Sequence, residues 1–126
     1  MAFGKETGQF TLKLTSQTFN PCAVNGVSVQ INMEGTSSGD LGEGEVALTH
    51  YAEGEVGAKS GTWRQYGGGT LQDGTFIGIQ GQGTWEEIGT GKWRYRGTAQ
   101  LSNGMTYAVE FEGDWATKTW TGKTYQ

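Results

Sequence analysis

Lys92-Trp93-Arg94-Tyr95-Arg96-Gly97-Thr98-Ala99-Gln100-Leu101-Ser102-Asn103-Gly104-Met105-Thr106-Tyr107-Ala108-Val109-Glu110-Phe111-Glu112-Gly113-Asp114-Trp115-Ala116 decides the fold, because its turn admits two hairpin registers that arithmetic separates. A two-residue loop at Asn103-Gly104 pairs positions summing to 207, sets Arg96 opposite Phe111, and mixes charged with apolar side chains on both faces. Side chains alternate between the faces of a strand, so a slip of one residue inverts them all. A three-residue loop, with Gly104 in the left-handed conformation, pairs positions summing to 206. Leu101 then meets Met105, Ala99 meets Tyr107, Gly97 meets Val109 and Tyr95 meets Phe111, so one face is wholly apolar. The other face carries Arg96 against Glu110, Arg94 against Glu112 and Lys92 against Asp114. This second register is the expected one.

The same logic at the preceding turn, Ile88-Gly89-Thr90, pairs positions summing to 178: Trp85 with Trp93, Glu86 with Lys92, Gly83 with Tyr95 and Gly81 with Gly97. The resulting inner face holds Ile77, Ile79, Trp85, Trp93, Tyr95, Tyr107, Val109, Phe111 and Trp115, interrupted by Gly81, Gly83, Gly97 and Gly113. Upstream, Phe10, Leu12 and Leu14, then Val27, Val29, Ile31 and Met33, alternate with polar residues and read as half-buried strands. Further strands are expected at about 41–51, 61–67, 74–87, 92–101 and 105–116, with a last one in the tail from Trp120 to Tyr125. No stretch sustains a helical apolar stripe. Gly-X-Trp recurs at 61–63, 83–85, 91–93 and 113–115, with Trp63 to Trp85 and Trp93 to Trp115 each 22 residues apart. That rhythm suits neighbouring antiparallel strands rather than parallel ones, whose crossovers need about a dozen residues or more. The expected architecture is all-β, a single up-and-down antiparallel β-barrel of about eight strands over residues 1–126.

Composition narrows the function classes. The 126 residues suit one domain. Glycine contributes 23 of them and proline one, so the excess belongs to a folded backbone rather than to a linker or collagen. Five Trp, five Tyr and five Phe supply core area where Leu and Ile are scarce. A net charge of -4, with Lys and Arg dispersed, argues against nucleic acid as a partner. No apolar run approaches the ~18 residues of a membrane span and the opening lacks a signal-peptide layout, so the expected partners include no membrane and the expected location is cytoplasmic. The single Cys22 rules out an intrachain disulfide and a multi-thiolate metal site. With one His beside it, a metal site would be mainly carboxylate, and neither metal nor cofactor is expected.

Gly89-Thr90-Gly91-Lys92-Trp93-Arg94-Tyr95-Arg96-Gly97-Thr98-Ala99-Gln100-Leu101, preceded by Asp73-Gly74-Thr75-Phe76-Ile77-Gly78-Ile79-Gln80-Gly81, resembles the signature of the allene oxide cyclase and dirigent β-barrels. Ser38-Gly39-Asp40-Leu41, with Gly42-Glu43-Gly44-Glu45 after it, is similar to the third strand of that superfamily and of related bacterial barrels. The resemblance implies an eight-stranded antiparallel barrel whose lumen holds a reactive apolar small molecule in one conformation. Some such barrels cyclise an epoxide or polyene, while dirigent proteins steer a coupling performed by another enzyme. It also implies a homodimer or homotrimer. The cyclase asparagine position falls at Glu34, on the outer face by alternation, so no catalytic residue is carried over.

The residues themselves suggest a lumenal site. Gly81 opposite Gly97 removes two side chains from one level of a small barrel and leaves room for a ligand; alternatively, the glycines serve strand coiling, with aromatics covering the bare backbone. Expected ligand walls are Trp63, Ile79, Gly81, Trp85, Trp93, Gly97, Val109 and Phe111. Tyr95 and Tyr107 point inward, where their hydroxyls would bond a ligand carbonyl or simply fill the core. His50, on the apolar face near a strand end, would be an acid or base at the barrel mouth, or a hydrogen-bonded rim histidine. Glu43 and Glu45 share the outer face, since Val46 and Leu48 claim the inside. Cys22, between Pro21 and Asn25-Gly26, is expected in a loop. The function expected is binding of an apolar polyene, polyketide or lipid-derived molecule, with cofactor-independent cyclisation or isomerisation templated by the lumen. The alternatives are a non-catalytic carrier or steering protein and a structural barrel with a filled core.

Overall fold

Successive strands pair antiparallel throughout the chain. The computed structural model describes residues 4–23, 26–40, 43–55 and 57–126. It contains β1 (Glu6–Ala23), β2 (Gly26–Gly39), β3 (Gly44–Glu55), β4 (Ser60–Leu71), β5 (Phe76–Gly89), β6 (Lys92–Leu101), β7 (Thr106–Asp114) and β8 (Thr119–Tyr125). Each pairs with the next, and β8 returns to β1, so the sheet is a closed eight-stranded up-and-down barrel. Closure removes the open sheet edges that invite aggregation. No helix among the described residues is long and apolar enough to cross a membrane.

The β6–β7 register is the one the charge pattern demands: Tyr95 faces Phe111, Gly97 faces Val109 and Ala99 faces Tyr107. Gly104 takes φ +91°, and Leu101 N–H donates to the Met105 carbonyl at 2.9 Å. Outside, Arg96 reaches Glu110 at 2.6 Å, Arg94 reaches Glu112 at 3.1 Å, and both approach Glu86.

The β5–β6 register differs from expectation by two residues. Trp85 faces Tyr95 and not Trp93, and Gly97 faces Gly83 and not Gly81. The turn is Thr90-Gly91, with Gly91 at φ +69° and Gly89 paired with Lys92; Ile88 is left over as a bulge on the surface. An even slip preserves the faces, so the inward set survives while its cross-strand partners change.

The Gly-X-Trp repeats pair reciprocally. Gly61 faces Trp85 while Trp63 faces Gly83, and Trp93 faces Gly113 while Trp115 N–H bonds the Gly91 carbonyl. Each indole therefore has a glycine beside it, and two of them use the room to cross that neighbour. Trp63 donates Nε1–H to the Thr84 and Arg96 carbonyls at 3.0 and 3.3 Å, reaching β6 from β4. Trp85 lies over Gly61 and donates to the Glu53 carbonyl on β3 at 3.1 Å.

The tail forms β8, as expected, and its fully buried Trp120 helps close the barrel. Two segments fall differently from the sequence reading. Ser38-Gly39-Asp40 ends β2 and begins the turn, so β3 starts only at Gly44; Leu41 and Gly42 lie outside the described residues. Cys22 falls within the last residues of β1 rather than in a loop, and its side chain lies outside the described residues. Between Leu14 and Ser16 a bulge at Thr15 shifts the alternation, so that Phe19 opposes Val29 and faces the barrel end. Thr15 Oγ1 and Asn32 Nδ2 lock that bulge through Asn32 O and Ser16 Oγ.

Candidate functional site

Mid-barrel, the inward positions hold rings, and the rings pack solid. His50 and Trp63 stack at 5.6 Å between centroids, Tyr95 and Phe111 stack at 4.6 Å, and Trp63 meets Phe111 edge-on at 5.2 Å. Leu12, Met33 and Trp120 are fully buried around them. These residues form a plug that divides the interior into two end cavities.

The space expected at Gly81 and Gly97 is filled, in keeping with the covering role that was the alternative reading of the glycines. A Cβ at Gly81 would lie 3.1 Å from the Trp63 ring and from Gln65, and one at Gly97 would fall on the Gln82 carbonyl. Gly83 and Gly97 admit close approach of β5 and β6 beneath the Trp63 indole. Neither Gly81 nor Gly97 lines either end cavity, and Trp63 and Phe111 belong to the plug.

His50 is also placed differently from the expected rim position. It is 0% exposed, in the middle of the plug, touching Trp63, Tyr95 and Phe111. Its Nδ1 lies 3.3 Å from the carboxamide oxygen of Gln65, the residue opposite it on β4, which puts the imidazole proton on Nδ1. Nε2 is buried without a partner. Burial pushes the imidazole pKa down to about 4, with the Gln65 hydrogen bond acting weakly the other way. At neutral pH the ring is neutral and walled off from both cavities. Gln65 carried no sequence signal as a partner, because the β3–β4 register that joins it to His50 has no charge pattern to fix it.

One cavity, about 510 Å³, opens at the end where β5 and β7 finish and β6 begins. Its walls are Trp85, Trp93 and Trp115, with Val29, Ile31 and Phe19 opposite and Tyr95 and Trp120 at its inner end. Lys118 Nζ sits over the Trp115 ring at 3.4 Å. Burial raises the Tyr95 pKa to about 12, so its hydroxyl stays protonated and can donate. The Trp120 indole nitrogen lies near enough to offset part of that rise, yet no group meets it in hydrogen-bonding geometry. The Trp120 N–H is sealed against Gly113, so Tyr95 is the donor at the inner end of the aromatic mouth. Trp115 and Trp120 joined this site without being singled out as ligand walls: the first needed the corrected turn, the second the closing strand β8.

The other cavity, about 130 Å³, lies at the opposite end, where Tyr107, Ile79 and Val109 sit among Phe10 and aliphatic side chains, and it adjoins an outer, more polar groove of about 770 Å³. Glu43 is exposed and accepts from Gln72 at 3.2 Å, while Glu45 is exposed at this cavity's edge. Of the expected site residues, then, Trp85, Trp93 and Tyr95 meet at one end, Ile79, Tyr107 and Val109 at the other, and His50 at neither. Among the described residues no three His, Cys, Asp or Glu side chains converge as a metal site requires.

No family model, curated protein or solved structure matches the chain.

Proposed function

We propose that the protein binds a flat, apolar small molecule, a ring system or polyene, in the tryptophan-walled mouth, with an oxygen acceptor of the ligand meeting the Tyr95 hydroxyl. The observation that carries this reading is the apolar cavity of about 510 Å³ walled by Trp85, Trp93 and Trp115, with Tyr95 at its inner end. Binding sites of this kind are apolar clefts of roughly 300–1,000 Å³ with a few placed polar groups.

The role we infer is that of a carrier or steering barrel. The resemblance of residues 73–101 to the dirigent and allene oxide cyclase barrels supports a preorganised cavity that orients its ligand. A templated cyclisation or isomerisation is the second reading, favoured by the protonated Tyr95 hydroxyl, which would polarise a carbonyl without transferring its proton. His50 takes no part in either, being sealed in the plug.

The test is a titration of 2-acetylnaphthalene and 2-ethylnaphthalene, read by tryptophan quenching and calorimetry. Saturable binding is expected for both, tighter for the ketone, and weakened tenfold or more by Trp93→Ala. Absence of saturable binding, or an unchanged affinity in a folded Trp93→Ala, overturns the reading. Turnover of a conjugated ketone by protein alone, lost in Tyr95→Phe, would establish the catalytic version.

A further inference from the structure

We infer that the opposite end of the barrel is a second and chemically distinct binding site, for a neutral aliphatic molecule of about six carbons with one carbonyl or hydroxyl oxygen. The inference is independent of the aromatic mouth, because the plug of His50, Trp63, Tyr95 and Phe111 stands between the two. Four observations carry it.

The first is volume. The cavity holds about 130 Å³, close to the ~150 Å³ of a dry engineered cavity that accepts benzene. The second is its wall. Leu12, Leu48, Ile79, Leu101 and Val109 line it, with no aromatic indole among the lining residues. An aliphatic chain or saturated ring suits such a surface, while the flat systems favoured by three tryptophans suit the other end.

The third is a hydroxyl. Tyr107 lines the cavity and is 4% exposed overall, and its phenol is the donor that a ligand oxygen in the cavity would meet. Gln65, also buried, brings a carboxamide to the same lining while its oxygen faces His50.

The fourth is charge. Asp40 and Glu45 line the cavity at its open side, and no Lys or Arg does. Two carboxylates near the entrance disfavour a carboxylate ligand, so short fatty acids are rejected while the neutral ketone or alcohol of equal size is accepted.

Calorimetry and ligand-observed NMR with cyclohexanone, methylcyclohexane and cyclohexanecarboxylate test each part. Cyclohexanone is expected to bind saturably, methylcyclohexane about tenfold more weakly, and the carboxylate not measurably at low salt. Ala99 is buried against this cavity, so Ala99→Leu should fill it and abolish both neutral ligands. Tyr107→Phe should remove the preference for the ketone and leave methylcyclohexane unchanged. Binding of 2-acetylnaphthalene at the far mouth should be unaffected by both substitutions, which also verifies that the variants are folded. Cyclohexanone binding that persists in Ala99→Leu, or a ketone preference that survives Tyr107→Phe, overturns the assignment. So does failure of the native protein to bind cyclohexanone, whatever the naphthalene titration gives.

Discussion

His50 and Gln65 face one another across β3 and β4, the imidazole Nδ1 3.3 Å from the carboxamide oxygen, in a core otherwise built of rings and aliphatic side chains. The folded protein holds this imidazole neutral, with its pKa depressed from 6.5 to about 4. The unfolded chain binds the proton more readily. His50 therefore costs nothing above pH 6.5, destabilises progressively as pH falls from 6.5 towards 4, and adds no further loss below that. The full effect is about 3 kcal/mol, roughly half of it falling between pH 6.5 and 5, before most carboxylates titrate. Urea midpoints across that window should fall for the native protein and stay level for His50→Leu. A native profile as flat as the variant's would mean that His50 can be protonated in place.

Gly97→Ala should cost more than Gly81→Ala. A Cβ at Gly97 would meet the Gln82 carbonyl and lie 2.8 Å from the Gly83 Cα, which are backbone atoms that cannot step aside. At Gly81 the nearest atoms are side-chain carbons of Gln65 and Trp63 at 3.1 Å. Overpacking costs about 1–3 kcal/mol, and we expect about 2 or more at Gly97 against about 1 at Gly81. Equal losses in denaturant titrations would favour the register in which these two glycines oppose each other.

That pair also marks how far the sequence could be read. β6 and β7 were legible because Arg94, Arg96, Glu110 and Glu112 leave a single register with opposite charges matched. β5 and β6 have no such key, and Ile88, Gly89 and Gly91 allow several turns. The parity of the strand was therefore readable while its partners were not. The same limit hid the site. Indoles beside glycines suggested a hollow, but Trp63 and Trp85 reach across their glycine neighbours to carbonyls two strands away, and only coordinates show those reaches. His50 looked like a rim residue because β3 was expected to end near 51; it runs on to Glu55.

Arg96→Gln should lower stability only slightly, since its partners lie on the solvated outer face. The Arg96 head group, 2.6 Å from Glu110, has a side chain 46% exposed. The difference between native and variant midpoints should vanish in 1 M NaCl, where the Debye length shrinks to about 3 Å. A larger, salt-insensitive loss would mean that the guanidinium packs against the strand surface in a way that the ion pairs do not explain.

Deleting Thr15 should be tolerated, whereas deleting Thr11 should not. Thr15 is the surplus residue of a bulge, so its removal leaves Gln17 and Phe19 on the side they already occupy and costs about 1 kcal/mol for its bond to the Asn32 carbonyl. Thr11 stands in register with Thr36 and Thr121, and its loss would turn Phe10 or Leu12 outward. Circular dichroism and proton NMR dispersion should be native-like for the first deletion and collapsed for the second.

The hydroxyls of Thr7 and Thr124 meet at 2.9 Å although 117 positions separate them along the chain. Every other seam of the barrel is a hairpin between consecutive strands, but the β1–β8 seam must bring distant segments together against the entropy of a long loop. Folding should consequently proceed by zipping of local hairpins, led by β6 and β7, with ring closure as the slow step. In native-state exchange, backbone amides of β8 and of the first half of β1 should open together, ahead of the rest of the sheet.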